Sequence, residues 1–147
     1  MKFFMFLLFI FIFDVNADQR FSFGAYSHFN EKKEHTDNPY LIAYDFHEKN
    51  KYYGISFFNN SFDQKTKYIY RGRKYSTLKK NFHYEINYGL IHGYKGEYYD
   101  RIPINTKNGY GIGFIPSIHY EDSSKKTSYG IHLFGSAGIL LTFSIKN

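Results

Sequence analysis

Cysteine and tryptophan are absent from the 147-residue chain, and proline occurs only 3 times. The lack of cysteine excludes disulfide frameworks, thiolate metal sites and cysteine nucleophiles. So few prolines argue against a proline-rich disordered protein. The longest apolar run, residues 3–13, is too short to span a bilayer comfortably as a helix. A polytopic helical membrane protein is therefore excluded as well.

Aromatic residues are abundant instead. The chain has 16 tyrosines and 17 phenylalanines, so that aromatics make up 22% of it, about twice the level of an ordinary soluble domain. Its formal net charge is +6. A basic balance predicts an anionic neighbour, but it does not choose between nucleic acid, lipopolysaccharide and phospholipid.

Residues 1–17 have the pattern of a secretory signal peptide. Lys2 gives the positive start, the apolar run follows, and Val15 and Ala17 supply small residues where a signal peptidase cleaves. The alternative is an uncleaved anchor helix, which Asp14 disfavours because it ends the apolar run. We expect cleavage after residue 17, export, and one mature domain of residues 18–147. Export argues against a nucleic-acid partner.

The mature chain alternates apolar and polar residues, which is typical of β-strands rather than helices. In the clearest segment, residues 82–90, the even-numbered residues are apolar or aromatic and the odd-numbered ones are polar or glycine. Seven other segments alternate in a similar way, at residues 21–26, 40–46, 53–57, 68–70, 110–114, 128–133 and 138–145.

Strands that follow one another without intervening helices predict an all-β fold, an eight-stranded antiparallel up-and-down barrel. The connections predicted at residues 47–51 and 122–126 are short and polar, whereas those at 29–39 and 94–108 are longer. Transmembrane barrels have this asymmetry, with tight periplasmic turns and longer outer loops.

The composition of the two strand faces favours a transmembrane β-barrel. The face opposite the aromatic residues carries many glycines, among them Gly54, Gly89 and Gly113, which weaken an exterior strand but leave room inside a narrow barrel. We therefore predict a bacterial outer-membrane barrel, with the aromatic side of every strand outward and the glycine-lined side around a cavity. A secreted, lipocalin-like barrel with the opposite orientation is the alternative.

The predicted topology brings the ends of the first and third strands to one rim. The first strand ends near His28 and the third near Asn60 and Ser61. A histidine beside a serine permits acyl transfer, because a neutral imidazole can take a proton from an attacking alcohol. Asn60 and backbone amides are suited to stabilise an oxyanion. The alternative is that all three are solvated loop residues.

Several short motifs resemble those of a known family. Residues 54–62, Gly-Ile-Ser-Phe-Phe-Asn-Asn-Ser-Phe, resemble the strand that carries the Asp-Ser pair of the lipid A palmitoyltransferase family. Residues 38–40, Asn-Pro-Tyr, are similar to that family's Arg-Pro-Trp. Residues 92–96 and 100–103 resemble a divergent branch of related small outer-membrane proteins. The match extends over most of the mature chain by pattern, but only over these motifs by residue.

The resemblance implies an outer-membrane enzyme that moves a palmitoyl chain from a phospholipid to a hydroxyl of lipid A. The acyl chain would lie inside the barrel, and His28 and Ser61 would be catalytic. Asn60 stands where better-known members have Asp, which removes a carboxylate from the proton-transfer network. The residues that we expect to contact substrate are Tyr26, Pro39, His92, Tyr94, Asp100 and Arg101.

Two function hypotheses follow for a membrane barrel. The first is a lipid A acyltransferase, with a phospholipid donor and a lipid A acceptor as its partners. The second is a non-enzymatic small barrel for envelope integrity or surface interaction. In either case we expect a monomer. We expect no cofactor, because no phosphate loop or hydride-transfer fingerprint occurs in the sequence. We expect no bound metal, because His28 and His35 are seven residues apart and no residues that would orient them can be identified.

Overall fold

The computed structural model describes residues 18–29, 35, 40–134 and 138–147. Within them eight consecutive antiparallel strands form a closed barrel, in which β1 also pairs with β8. The predicted eight-stranded antiparallel barrel is therefore confirmed. The predicted signal peptide, residues 1–17, and the candidate residue Pro39 lie outside the described residues. The strands are β1 (Asp18–His28), β2 (Tyr40–Glu48), β3 (Lys51–Asn59), β4 (Lys65–Ser76), β5 (Phe82–His92), β6 (Tyr110–Asp122), β7 (Thr127–Leu133) and β8 (Gly138–Lys146).

The two ends of the barrel differ in their connections. At one end, here called the turn end, β2–β3, β4–β5 and β6–β7 are joined by residues 49–50, 77–81 and 123–126. At the other, the loop end, the β5–β6 connection contains a 3-10 helix, Gly96–Arg101. Among the described residues no helix is long and apolar enough to cross a membrane.

Most strands place their aromatic and aliphatic side chains on the outer surface, as the alternation predicts. Tyr84 and Tyr88 of β5, for example, are 53% and 46% exposed, whereas His83 and Glu85, the two neighbours of Tyr84 in the chain, are buried. The same alternation repeats round the barrel because successive strand residues point to opposite faces. The outward large apolar side chains include Phe21, Phe23, Ile42, Tyr53, Phe57, Ile112, Phe114, Tyr129, Ile131, Leu141 and Phe143.

β4 contradicts the prediction that the aromatic side of every strand faces outward. Tyr68 and Tyr70 point into the barrel, where they are 3% and 9% exposed. The residues that alternate with them, Lys67, Ile69 and Arg71, face outward. The reason is that both hydroxyl groups find hydrogen-bond partners inside the barrel. The Tyr68 hydroxyl donates to Asn87 Oδ1 at 2.8 Å, and the Tyr70 hydroxyl donates to Asp45 Oδ1. Buried tyrosines are stable where their hydroxyl groups find such partners.

The inward glycines have a different role from the predicted one. A β-carbon on Gly72 would collide with the Tyr52 ring, and one on Gly54 would collide with Asp45 and with the Tyr70 ring. These two glycines therefore make room for inward tyrosines of neighbouring strands rather than for a ligand. The predicted glycine-lined lumen is accordingly wrong for this part of the barrel, which protein side chains fill.

Candidate functional site

The turn-end half of the interior is filled by a buried ion-pair core, which consists of Arg20, Asp45 and Glu85. The Arg20 guanidinium donates to Asp45 Oδ2 at 2.8 Å and to both Glu85 oxygens at 2.7 and 2.8 Å. All three residues are at most 4% exposed. The contact with Glu85 is bidentate, because two N–H groups of the planar guanidinium face the two carboxylate oxygens. It links β1 to β5 directly across the lumen.

Two histidines extend the ion-pair core. His83 Nε2 lies 3.1 Å from Glu85 Oε1, and His119 Nε2 lies 3.4 Å from Glu85 Oε2 and 3.0 Å from Ser117 Oγ. His83, Glu85 and His119 offer potential metal-ligand atoms within 4.8 Å of one another. Both Glu85 oxygens, however, already bind the Arg20 cation. The cluster is therefore better suited to hydrogen bonding than to holding a second cation.

A second set of ions lies at the rim of the turn end. Glu121 Oε2 lies 2.8 Å from Lys74 Nζ and 2.6 Å from Lys146 Nζ, so that it joins β6 to β4 and β8. Between this rim and the middle of the barrel, the interior holds a cavity of only about 40 Å³, little more than a water molecule occupies. This half of the interior has no room for a lipid chain.

The loop-end half is open. A cavity of about 660 Å³ extends into the barrel from the loops, within the range typical of small-molecule sites. Its walls are mostly apolar and come from most of the strands. The apolar residues that line its interior are Leu41, Phe58, Phe62, Ile91, Ile102, Ile115, Phe134 and Leu140, and the outward-facing Ile112 and Phe114 border it on β6. A linear hydrocarbon chain would be shielded from water here.

His28 lies in the wall of this cavity at the end of β1. Its ring stacks on His35 with 4.0 Å between ring centroids, and Tyr26 packs edge-on against it at 4.7 Å. His35 in turn contacts Phe62 at 5.7 Å. These rings link the end of β1 to the connection after β3, so the predicted convergence of the two strand ends is present in the structure.

Asn60 and Ser61 lie in the connection between β3 and β4, and both line the cavity. Asn60 Oδ1 accepts hydrogen bonds from the backbone N–H groups of Phe62 at 3.0 Å and Gln64 at 3.1 Å. Its side chain, which is 2% exposed, thus holds the turn that presents Ser61. Asparagine commonly stabilises turns in this way. This geometry suits a positioning role better than direct contact with a substrate oxyanion.

Two more of the expected substrate-contacting residues lie in the wall of the cavity. Tyr94 and Arg101 line the cavity, and the Arg101 guanidinium lies 5.8 Å from the centroid of the Phe62 ring. Burial raises the pKa of the Tyr94 hydroxyl well above its usual value, so that it remains a proton donor at neutral pH. Arg101 places a positive charge at the wall of a mostly apolar cavity.

The remaining expected contacts are not part of this cavity. His92 packs against Tyr110 at 4.3 Å between ring centroids, and its position in β5 places it on the outer face of the barrel. Asp100 is exposed and lies 3.6 Å from Arg101. The structure therefore brings together Tyr26, His28, Asn60, Ser61, Tyr94 and Arg101, but not His92 or Asp100.

Sequence reasoning missed the apolar residues of the cavity walls and the ion-pair core. Arg20, Asp45 and Glu85 lie in three different strands far apart in the chain, and only the barrel register brings them together. Their positions in the alternating pattern put all three on the inner face. This could have indicated an ion-pair network, because a charged residue on an enclosed face needs an opposite charge nearby. No family model and no curated protein sequence matches the chain.

Proposed function

We propose that this protein is a bacterial outer-membrane barrel. The outer surface supports this placement, because large apolar and aromatic side chains are exposed on all eight strands. The charged groups Arg20, Asp45 and Glu85 face inward instead. A soluble barrel has the reverse arrangement, with an apolar interior and a polar outer face. An exposed apolar surface that surrounds the molecule is stable in lipid and promotes aggregation in water.

Within that membrane, the loop-end cavity would bind a lipid acyl chain. Transfer of the acyl chain from water to the apolar walls stabilises the bound state by about 0.8 kcal/mol for each buried methylene. Arg101 and Tyr94 stand at the same cavity and would bind the phosphate or ester oxygens of the lipid head group. The filled turn-end half would stop the chain, because the Tyr68 and Tyr70 rings and the ion-pair core lie beneath the cavity.

The reaction that this arrangement supports best is transfer of the acyl chain from a phospholipid ester to a hydroxyl of lipid A. His28 would accept the proton as the hydroxyl oxygen attacks the ester carbonyl carbon. When the tetrahedral intermediate collapses, the ester bond to the glycerol oxygen breaks and His28 returns the proton to that oxygen. Ser61 would orient the reacting groups through its hydroxyl, and Asn60 would position Ser61.

The observation that carries this proposal is the presence of His28 and Ser61 in the wall of one deep apolar cavity. Its test is the lipid A profile of envelopes with and without the gene, measured by mass spectrometry. We expect an additional acyl chain on lipid A only with the gene. The variants His28→Ala and Ser61→Ala should abolish it, while Asp100→Ala, outside the cavity, should retain it. Unchanged acylation of lipid A in both variants would refute the acyltransferase proposal.

A barrel that binds a lipid without transferring it is the second candidate. It is favoured by the mostly apolar lining of the cavity together with Arg101, because these features suit a bound lipid whether or not a reaction follows. Lipid A that is identical with and without the gene, together with a lipid retained in the purified barrel, would support this candidate over the enzyme.

A further inference from the structure

The outer face of β4 is unlike that of the other strands. Its outward residues include four cations, Lys65, Lys67, Arg71 and Arg73, with Ile69 between the two pairs. Each of these outward side chains is exposed, Ile69 to 59%. On the other strands the outer surface consists mainly of aromatic and aliphatic side chains, and this surface is here called the apolar belt. Arginine on a lipid-facing surface costs about 2–4 kcal/mol at the bilayer midplane and less near its edges, so these residues require a compensating interaction.

The two arginines lie toward the turn end. Arg73 is the direct cross-strand partner of Lys51, the first residue of β3. Arg71, two residues along the same face, is flanked by Tyr53 of β3 and Tyr88 of β5. Its guanidinium lies 5.5 Å from the centroid of the Tyr88 ring, a favourable but small interaction.

The charges of this patch are not balanced within the protein. Like charges directly opposite each other in a sheet are destabilising, and this applies to Arg73 and Lys51. Glu48 faces Lys51 from β2, but one carboxylate leaves a net positive charge on the patch. Among the described residues, neither Arg71 nor Arg73 forms an ion pair. An anion from outside the chain would complete the patch.

We propose that Lys51, Arg71 and Arg73 bind the phosphate of an anionic phospholipid in the membrane leaflet at the turn end. The inference rests on the membrane placement proposed above, and not on acyl transfer. Short turns lie on the periplasmic side of such barrels, so the lipid belongs to the inner leaflet. The long arginine side chains reach from the apolar belt toward the head groups, while the lipid chains lie on the neighbouring apolar surface, which includes Ile69 and Tyr88.

A lipid fits this patch better than an acidic protein does. Tyr53, Tyr75 and Tyr88 surround the arginines, and all three are exposed, to between 46% and 49%. Tyrosine at this depth is typical of the boundary between hydrocarbon and head groups. The apolar belt continues on both sides of the patch, which leaves a surface for acyl chains beside the bound phosphate.

The test uses the full mature barrel in vesicles of phosphatidylcholine mixed with phosphatidylglycerol. After gentle extraction in detergent, native mass spectrometry counts the lipids that remain bound. We expect the barrel to retain phosphatidylglycerol in preference to phosphatidylcholine. The double variant Arg71→Gln/Arg73→Gln should lower that preference roughly tenfold. The matched control Lys79→Gln/Lys80→Gln removes two exposed charges from the turn after β4 and should retain it.

The outcomes separate this inference from the proposed function. Insertion of all variants into vesicles, shown by heat-modifiable gel mobility, with equal retention of both lipids would overturn the lipid site and leave the membrane barrel intact. Displacement of the lipid by an equal concentration of inorganic phosphate would also overturn it, because the site would then bind free phosphate. A wild-type chain that does not insert at all would refute the membrane placement itself.

Discussion

The two halves of the barrel interior differ in how they are filled. At the turn end, charged and polar side chains pack until only about 40 Å³ remains free, whereas at the loop end a cavity of about 660 Å³ stays open between apolar walls. Unfilled apolar space lowers stability, because the lining atoms lose their contacts. The turn-end half therefore stabilises the barrel, and the open cavity of the loop-end half costs stability.

The largest expected effect is in the filled half. Arg20→Ala leaves Asp45 and Glu85 buried without their cation, and we expect a loss of about 3–5 kcal/mol of unfolding free energy or a failure to fold. Urea unfolding followed by circular dichroism measures it. The control Arg101→Ala breaks an exposed pair with Asp100 and a contact with the Phe62 ring, and it should cost less than about 1 kcal/mol. Equal costs would contradict the division into two halves.

Enlarging a side chain should have opposite consequences in the two halves. Ser144 is 1% exposed and its hydroxyl lies 2.8 Å from that of Ser22, so Ser144→Phe should destabilise the barrel by about 1–3 kcal/mol. Leu41→Trp instead extends into the open cavity and should change stability by less than about 1 kcal/mol. It should, however, weaken the binding of a spin-labelled fatty acid. A strongly destabilised Leu41→Trp variant would show that the cavity is not open space.

Asn60 allows the positioning role at the open half to be tested. Asn60→Ala removes the acceptor of two backbone hydrogen bonds and should cost about 1–2 kcal/mol. Asn60→Asp keeps an acceptor oxygen and should retain stability, while the added carboxylate should increase lipid A acylation. Thermal melts and lipid A mass spectra measure the two effects. If the alanine variant lost neither stability nor acylation, the positioning role would be wrong.

The smallest effect is expected at the rim of the filled half. Lys74→Gln leaves Glu121 paired with Lys146 at 2.6 Å, so the loss should stay below about 1 kcal/mol. It should shrink further in high salt because the rim is partly exposed. Unfolding at two salt concentrations measures this, with Lys79→Gln as a control for charge alone. A salt-independent loss as large as that of Arg20→Ala would place Lys74 in the buried network.

Alternation was enough to predict the strands, but it could not orient β4. There Tyr68 and Tyr70 alternate with Lys67, Ile69 and Arg71, so both faces carry apolar or amphipathic residues. Hydrophobicity alone does not choose between them. The choice depends on hydrogen-bond partners in other strands, Asn87 and Asp45. Those partners become neighbours only once the register of the whole sheet is fixed.

Part of the candidate site was predictable for a topological reason. In an up-and-down barrel the ends of β1 and β3 share a rim whatever their exact bounds, and both His28 and Ser61 line the cavity at that rim. His92 shows the limit of that argument. The rim was predicted, but a shift of one residue moves a side chain to the other face, and His92 falls on the outer one.

The seam between β1 and β8 has a consequence for biogenesis. Phe21 pairs with Ile145, and Ser22 pairs with Ser144, so the last ladder to form joins segments that are separated by nearly the whole domain. Until β8 has been synthesised, the growing sheet has two unpaired edges, which are templates for aggregation. Closure of the ring can follow only once β8 is present, so the whole domain must be available before either edge is protected.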